Sequence, residues 1–199
     1  MNDEVLTEQL DLYMYQASKR GQSYCGDSYI TIIERDYAVI ALADGLGSGE
    51  HAKNSSEVVM SIVRQFHNED VHSLLKRCNQ ALKFKRGAAV AIGKIYFSLQ
   101  EIVYTCIGNI RFIIISPTGK TTYPLPKVGY LSGKPITPNI QRFSYVPDSL
   151  FVMNSDGVKS YTSREVLPYG NSMTDLIKHA ERDNSKQDDA TLLVGKIKQ

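Results

Sequence analysis

Tyr37-Ala38-Val39-Ile40-Ala41-Leu42-Ala43-Asp44-Gly45-Leu46-Gly47-Ser48-Gly49 is the stretch on which the fold turns. Its first seven residues are nearly all apolar, which predicts a strand. The run ends on an acid among glycines, and a helical pattern begins near His51. A rigid strand holds such an acid in place, while glycines leave backbone carbonyls open to a ligand. A hard metal ion suits that setting. A plain Asp-Gly turn or a phosphate-cradling loop fits the same residues, so the rest of the chain must decide.

Outward from this stretch, Leu10 to Tyr15 and the β-branched run Tyr29 to Ile33 read as strands, with a hairpin at Glu34-Arg35-Asp36. Apolar residues then recur at three- and four-residue steps through Ala52, Val59, Ile62, Val63 and Phe66, and again from Val71 to Leu82. Two helices joined near Asn68-Glu69-Asp70 follow from that period. Ala88 to Ser98, Ile102 to Ile107 and Ile110 to Ile115 predict an antiparallel meander, with Gly108-Asn109 as a tight hairpin turn. Pro117 to Pro147 carries six prolines and reads as loop with short edge strands. Leu150 to Met153 predicts a brief strand, Ser172 to Arg182 a helix and Ala190 to Ile197 a last strand. The order lacks the regular βα alternation of a doubly wound sheet. It predicts an α+β fold, a four-layer α-β-β-α sandwich of two antiparallel sheets flanked by helices.

The 199 residues are 42% hydrophobic, with no linker or composition shift, and predict one domain over 1–199. A net charge of +2 gives no strong case for nucleic acid or an anionic membrane. The acidic start Met1 to Leu6 is unlike a signal peptide, and no apolar run approaches membrane-spanning length, so the expected location is cytoplasmic. Cys25, Cys78 and Cys106 are widely spaced, form no CxxC pair and have no neighbouring histidine. They predict reduced thiols rather than disulfides, a zinc site or a nucleophile.

Three other acids share the context of Asp44. Asp27 opens a strand in Gly26-Asp27-Ser28-Tyr29, Asp156 follows the strand ending at Met153, and the tandem Asp188-Asp189 precedes Ala190. Carboxylates gathered in one place repel one another unless a cation neutralises them, and oxygen-only ligation suits Mg²⁺ or Mn²⁺ rather than zinc. A dinucleotide site fits poorly, because GxGxxG needs glycine where Glu50 stands and no GxxxxGK[ST] follows.

Taken in order, Gly-Asp-Ser-Tyr, Asp-Gly-x-Gly-x-Gly, Gly-Asn, Ser-Asp-Gly and Asp-Asp-x-Thr resemble the metal-dependent protein serine/threonine phosphatases of the PPM family, in their bacterial SpoIIE-like branch. The resemblance spans about Gly21 to Lys196 and implies a centre of two Mn²⁺ or Mg²⁺ ions. By this resemblance Asp44 is the bridging carboxylate, Gly45 lends its carbonyl, Asp156 and Asp188 complete the second metal, and Asp27 stands near the first. Asp189 occupies a position where relatives often carry Asn and ranks below Asp188 as a metal ligand, but an acid there could still take part, and the tandem leaves the register open. Asp44 and Asp27 are the catalytic candidates.

The chain also departs from the family's pattern. Eukaryotic relatives place histidine directly after the Asp-Gly pair, where Leu46 stands, and His51 nearby reads as a solvated helix residue. Those relatives also hold phosphate with an arginine upstream of the first acid, for which Arg20 is the candidate here. The small stand-alone members of the branch imply a monomer acting on the stressosome STAS proteins RsbS and RsbR, as a feedback regulator of sigma-B. Another anti-anti-sigma substrate, or a catalytically inert phosphatase-like module, is the alternative.

Overall fold

Two antiparallel sheets pack face to face in the computed structural model, which describes residues 2–158, 161, 163–166, 172–185 and 187–198. In chain order the strands and helices are β1 (Asn2–Leu6), β2 (Leu10–Ala17), β3 (Asp27–Ile33), β4 (Tyr37–Gly45), α1 (Glu50–Phe66), α2 (Val71–Ala81), β5 (Ala88–Tyr96) and β6 (Glu101–Ile107). They continue with β7 (Arg111–Ile115), β8 (Thr121–Thr122), β9 (Gln141–Ser144), β10 (Ser149–Asn154), α3 (Ser163–Val166), α4 (Met173–Asp183) and β11 (Ala190–Ile197). One sheet runs β1-β2-β11-β10-β7-β8 and the other β3-β4-β5-β6-β9. This is the expected sandwich. Among the described residues no helix is long and apolar enough to cross a membrane.

The period of two along each strand divides the core into three layers. On β4, Ala38, Ile40 and Leu42 face the other sheet and pack with Leu12, Met14, Phe112, Phe151 and Met153. Val39, Ala41 and Ala43 face outward and pack under α1 and α2 against Val59, Val63, Leu74 and Leu75. Burial on both faces is why Tyr37–Ala43 reads as an unbroken apolar run. On the far side, Ile113, Val152, Leu192 and Val194 pack under Leu176, Ile177 and Ala180 of α4.

The predicted meander is corrected at its second turn. β5 and β6 pair as a hairpin, but β7 joins the other sheet, beside β10. Gly108-Asn109 is therefore a crossing between sheets rather than a hairpin turn. Gly108 takes φ 127°, its N–H donates to the Lys127 carbonyl at 2.8 Å, and a Cβ there would stand 2.3 Å from that of Ala89. Strong β pattern on both sides of a Gly-Asn pair cannot tell a hairpin from a change of sheet, because both place apolar strands around a turn. The acidic segment Asn2–Leu6, given no strand above, pairs along β2 at the sheet edge.

Lys94 fixes the helical layer onto β5. It is 2% exposed and lies on the face of β5 that packs under the helices. Its Nζ donates to the carbonyls of His67 at 2.9 Å, Asn68 at 3.2 Å and Glu69 at 2.8 Å, and sits 4.0 Å from the centre of the Tyr37 ring. A cation here meets the free carbonyls and negative end of α1. Lys94→Met should keep the volume but orphan three carbonyls, a loss on the order of 2–3 kcal/mol readable as a lower urea midpoint. An unchanged midpoint would show that water serves those carbonyls equally well.

Candidate metal centre

The inter-sheet layer opens at one end onto acids from both sheets. Register pairs Asp27 on β3 directly with Asp44 on β4. Asp44 continues the inward-facing series Ala38, Ile40 and Leu42 by two residues. From the other sheet, Ser155 just beyond β10 and Thr191 on β11 donate their hydroxyls to Asp27 Oδ2 at 2.6 Å and 2.8 Å. Ser155 Oγ also accepts from the Thr191 N–H at 2.9 Å. Asp27 is 3% exposed, and its Oδ1 has no hydrogen-bond partner among the described residues.

Burial and crowding raise both carboxyls. Asp27 is pushed up to about 7, chiefly by burial, with the Ser155 and Thr191 hydroxyls opposing and Asp189 and Asp156 adding to the rise. Asp44 is pushed up to about 8, again chiefly by burial, then by the charges of Asp27, Asp156, Asp188 and Asp189. A carboxyl that holds its proton to neutral pH is one whose charge lacks a compensating cation.

The tandem acids separate in role. Asp189 is 6% exposed, and both its oxygens are taken by backbone amides: Lys19 N–H donates to Oδ1 at 2.9 Å and Gly26 N–H to Oδ2 at 2.8 Å. Its carboxylate thus ties β11 to the segment entering β3. Asp188 is exposed, accepts the Asp189 N–H at 3.0 Å and stands 4.0 Å from Lys19 Nζ. Asp156 is also exposed and accepts from Asn109 Nδ2 at 2.7 Å, so the crossing between sheets reaches the site. Among the described residues, no group of three or more His, Cys, Asp or Glu is placed to hold a metal ion. Asp27 and Asp44 face each other, while Asp156 and Asp188 are turned to other partners.

Gly45 has a packing reason that the letters did not disclose. A Cβ there would stand 1.9 Å from the Ala52 carbonyl oxygen, so the first turn of α1 crosses directly over the strand end. Gly157 is constrained alike, with a Cβ 2.0 Å from the Asp189 carbonyl. The Gly45 N–H donates to the Gly26 carbonyl at 3.2 Å and α1 starts with Lys53 N–H on Gly49 O at 3.1 Å. Glycine in both Asp-Gly pairs lets two backbones meet.

His51 lies exposed in the first turn of α1 and Arg20 is exposed, and neither makes a hydrogen bond to the paired acids. His67 shares a 2.9 Å hydrogen bond with the Tyr37 hydroxyl. Cys78 and Cys106 are buried and Cys25 half-buried, all three free, and burial raises their thiols to about 12, 11 and 12 respectively. Ser155, Thr191 and the clamp made by Asp189 escaped the reading of the sequence. The Ser-Asp-Gly and Asp-Asp-x-Thr motifs contain all three, but the acids drew the attention. Arg86 escaped it too, and its Nη1 would lie 2.7 Å from a Cβ placed on Gly47.

A two-sheet sandwich with acids from both sheets at one end of its inner layer is the architecture of the PPM-type phosphatases. Residues 34–198 match the family described as Stage II sporulation protein E (SpoIIE), and the chain belongs to that family. It is 39% identical over 191 residues to phosphoserine phosphatase RsbX of Bacillus subtilis (strain 168), covering 96% of each chain. The crystal structure of RsbX in complex with magnesium superposes with a TM-score of 0.93 at 38% identity, over 99% of this chain and 100% of that one. The Mycobacterium tuberculosis serine/threonine phosphatase PstP/Ppp shares the fold, with a TM-score of 0.74 at 16% identity over 96% of this chain and 100% of that one.

Two measurements check this geometry. Because the folded state binds protons at Asp27 and Asp44 more tightly than the unfolded chain, the stability they lend is complete below about pH 4 and is lost as pH rises through about 7 to 8. Urea unfolding in EDTA should show a fall on the order of 5 kcal/mol between pH 5.5 and 8.5; a flat profile would contradict it. Asp189→Ala frees two buried amides and should cost about 2–3 kcal/mol, whereas Asp188→Ala should change stability by less than about 0.5 kcal/mol. Equal losses in the two variants would reject the division of roles.

Proposed function

We propose that residues 1–199 form one catalytic domain, a metal-dependent protein serine/threonine phosphatase hydrolysing phosphoserine and phosphothreonine. The observation that carries this reading is the buried pair Asp27 and Asp44, with one carboxylate oxygen of Asp27 unpartnered and both carboxyls raised. A divalent cation would remove both penalties at once. The donors are all oxygens, which fits Mn²⁺ or Mg²⁺. Magnesium in the homologous RsbX structure supports the same cation type.

In this assignment Asp44 would be shared by two ions, Gly45 would contribute its carbonyl, and Asp27 would serve the first ion. Asp156 and Asp188 would exchange Asn109 and Lys19 for the second. Asp189 remains on its two amides. When bound, the ions would supply an acidified water for in-line attack and neutralise the phosphate. The protein holds Asp44 and Asp27 on neighbouring strands, with Ser155 and Thr191 fixing the Asp27 carboxylate from the opposite sheet. With Leu46 following the Asp-Gly pair, no histidine is available there to protonate the leaving group.

The 39% identity to RsbX supports substrates among the stressosome proteins, and we assign RsbS and RsbR, placing the chain as a monomeric cytoplasmic brake on sigma-B. Wild-type protein should hydrolyse p-nitrophenyl phosphate only with Mn²⁺ or Mg²⁺, and Asp44→Asn should lose about 1000-fold or more in kcat/KM. Protein that binds no Mn²⁺ and turns nothing over would instead be an inert interaction module. Phosphorylated RsbS and RsbR should be dephosphorylated faster than a competing anti-anti-sigma protein; equal rates on all three would remove the substrate assignment.

A further inference from the structure

The small net charge hides a strong segregation along the chain. From Val71 to Pro147 there are eleven Lys or Arg and a single carboxylate, Glu101, while the acids of the candidate centre lie outside that span. Some of these cations are spent on the fold: Arg77 pairs with Glu69, Arg142 with Glu101, and Lys94 is buried. Lys83, Lys85 and Arg86, in the turn between α2 and β5, are exposed. Arg86 enters no ion pair among the described residues.

That turn is tied to the Asp44 loop. The Arg86 guanidinium lies across Gly47, and the Leu46 N–H donates to the Gly87 carbonyl at 3.0 Å. On its other side runs the loop carrying Val128 and Tyr130. A Cβ on Gly87 would meet Tyr130 at 2.9 Å, Ala88 bridges to Leu131, and Gly133 packs against Lys83. The basic turn is thus held between the acid-bearing loop and an apolar one.

Phe84 makes the turn unlike an ordinary surface connection. It is 93% exposed, and its backbone takes φ 68°, a left-handed conformation that costs a non-glycine residue about 1 kcal/mol. An exposed phenylalanine in a strained position gains nothing from burial in the monomer. Val128 is 92% exposed and Tyr130 47%, on the adjoining loop. Single exposed apolar residues are ordinary, but here they flank cations that enter no ion pair among the described residues, Lys83 lying 5.1 Å from the centre of the Phe84 ring.

We propose that the turn Lys83–Arg86, with Val128 and Tyr130, is the docking face for the phosphorylated protein substrate. This rests on the phosphatase reading above. The complementary partner is a folded protein presenting an acidic surface around its phosphorylated residue and an apolar recess for Phe84 and Val128. The cations steer the anionic face, the apolar side chains slow its release, and Arg86 is the cation nearest the acid loop. A small phosphate ester has no surface to engage them.

The substrate pair separates docking from chemistry. Lys85→Glu, and the double variant Phe84→Gly with Val128→Ser, should lower kcat/KM on phosphorylated RsbS about tenfold or more through KM, and leave p-nitrophenyl phosphate within about twofold of wild type. Phe84→Gly should not lower Tm, since it relieves the left-handed strain, and that separates docking from misfolding. Calorimetric binding of phosphorylated RsbS should weaken in parallel. Unchanged kinetics on the phosphoprotein, or equal losses on both substrates, would overturn the proposal. So would a single-stranded oligonucleotide or phosphatidylglycerol vesicles bound more tightly than the phosphoprotein and released by Lys85→Glu. If wild type fails on p-nitrophenyl phosphate, the phosphatase reading falls, and the binding measurement alone still decides the docking face.

Discussion

Like charge gathered at the open end of the inter-sheet layer is the constraint around which the molecule is arranged. Two ionised carboxylates about 5 Å apart at an effective dielectric near 20 repel by about 3 kcal/mol, more than one hydrogen bond returns. The fold meets this in three ways. It burdens Asp27 with two hydroxyl donors, it ties Asp189 to two amides, and it leaves Asp156 and Asp188 toward solvent. What remains uncompensated is the facing pair Asp27 and Asp44, whose carboxyls are raised chiefly by burial and then by the neighbouring acids. A divalent ion changes the sign of this balance, because the same crowding that repels the acids then concentrates them on one partner.

Neither sheet could make this end alone. β3 and β4 bring Asp27 and Asp44 side by side, but the hydroxyls that hold Asp27 come from beyond β10 and from β11. Those donors reach it because Ser155 and Thr191 fall on the inward face of their strands, in step with Met153 and Leu193 of the central core. The packing between sheets therefore sets the position of the acid. Asp189 adds a second connection, from β11 to Gly26 and Lys19, and Gly157 permits the close passage of the two backbones that bear Asp156 and Asp189.

Most strands, the two long helices and the two-sheet architecture were legible because each has a signature of its own: β-branched residues along β3, a period near four along α1, and an unbroken apolar run along β4. The sheet change at Gly108-Asn109 was not, since the partner of β7 is fixed by the inter-sheet core and not by its neighbours in sequence. The acids announced themselves by falling at strand ends. Their division of labour did not, because tandem Asp188-Asp189 looks symmetrical until β11 turns one inward to the amides and the other out. Gly45 read as clearance for a ligand, whereas its first requirement is the Ala52 carbonyl above it. Ser155 and Thr191 carry no signal as single residues, and only their convergence on one oxygen gives them meaning.

The crossing at Gly108-Asn109 also joins parts that are distant in sequence. Gly108 N–H is bonded to the Lys127 carbonyl, one residue before Val128, while Asn109 Nδ2 is bonded to Asp156. Leu131 bridges Ala88 on the strand that pairs Ala89 with Asp44. The exposed apolar loop is therefore fastened at one end to the crossing after β6 and at the other to β5, the neighbour of the strand that bears Asp44. A partner resting on Val128 and Tyr130 would press on a support that is continuous, through backbone hydrogen bonds, with the floor of the acidic centre. Loops built for specificity need such a support, because a docking surface that moved independently of the reacting groups would bind a substrate without aligning its phosphate.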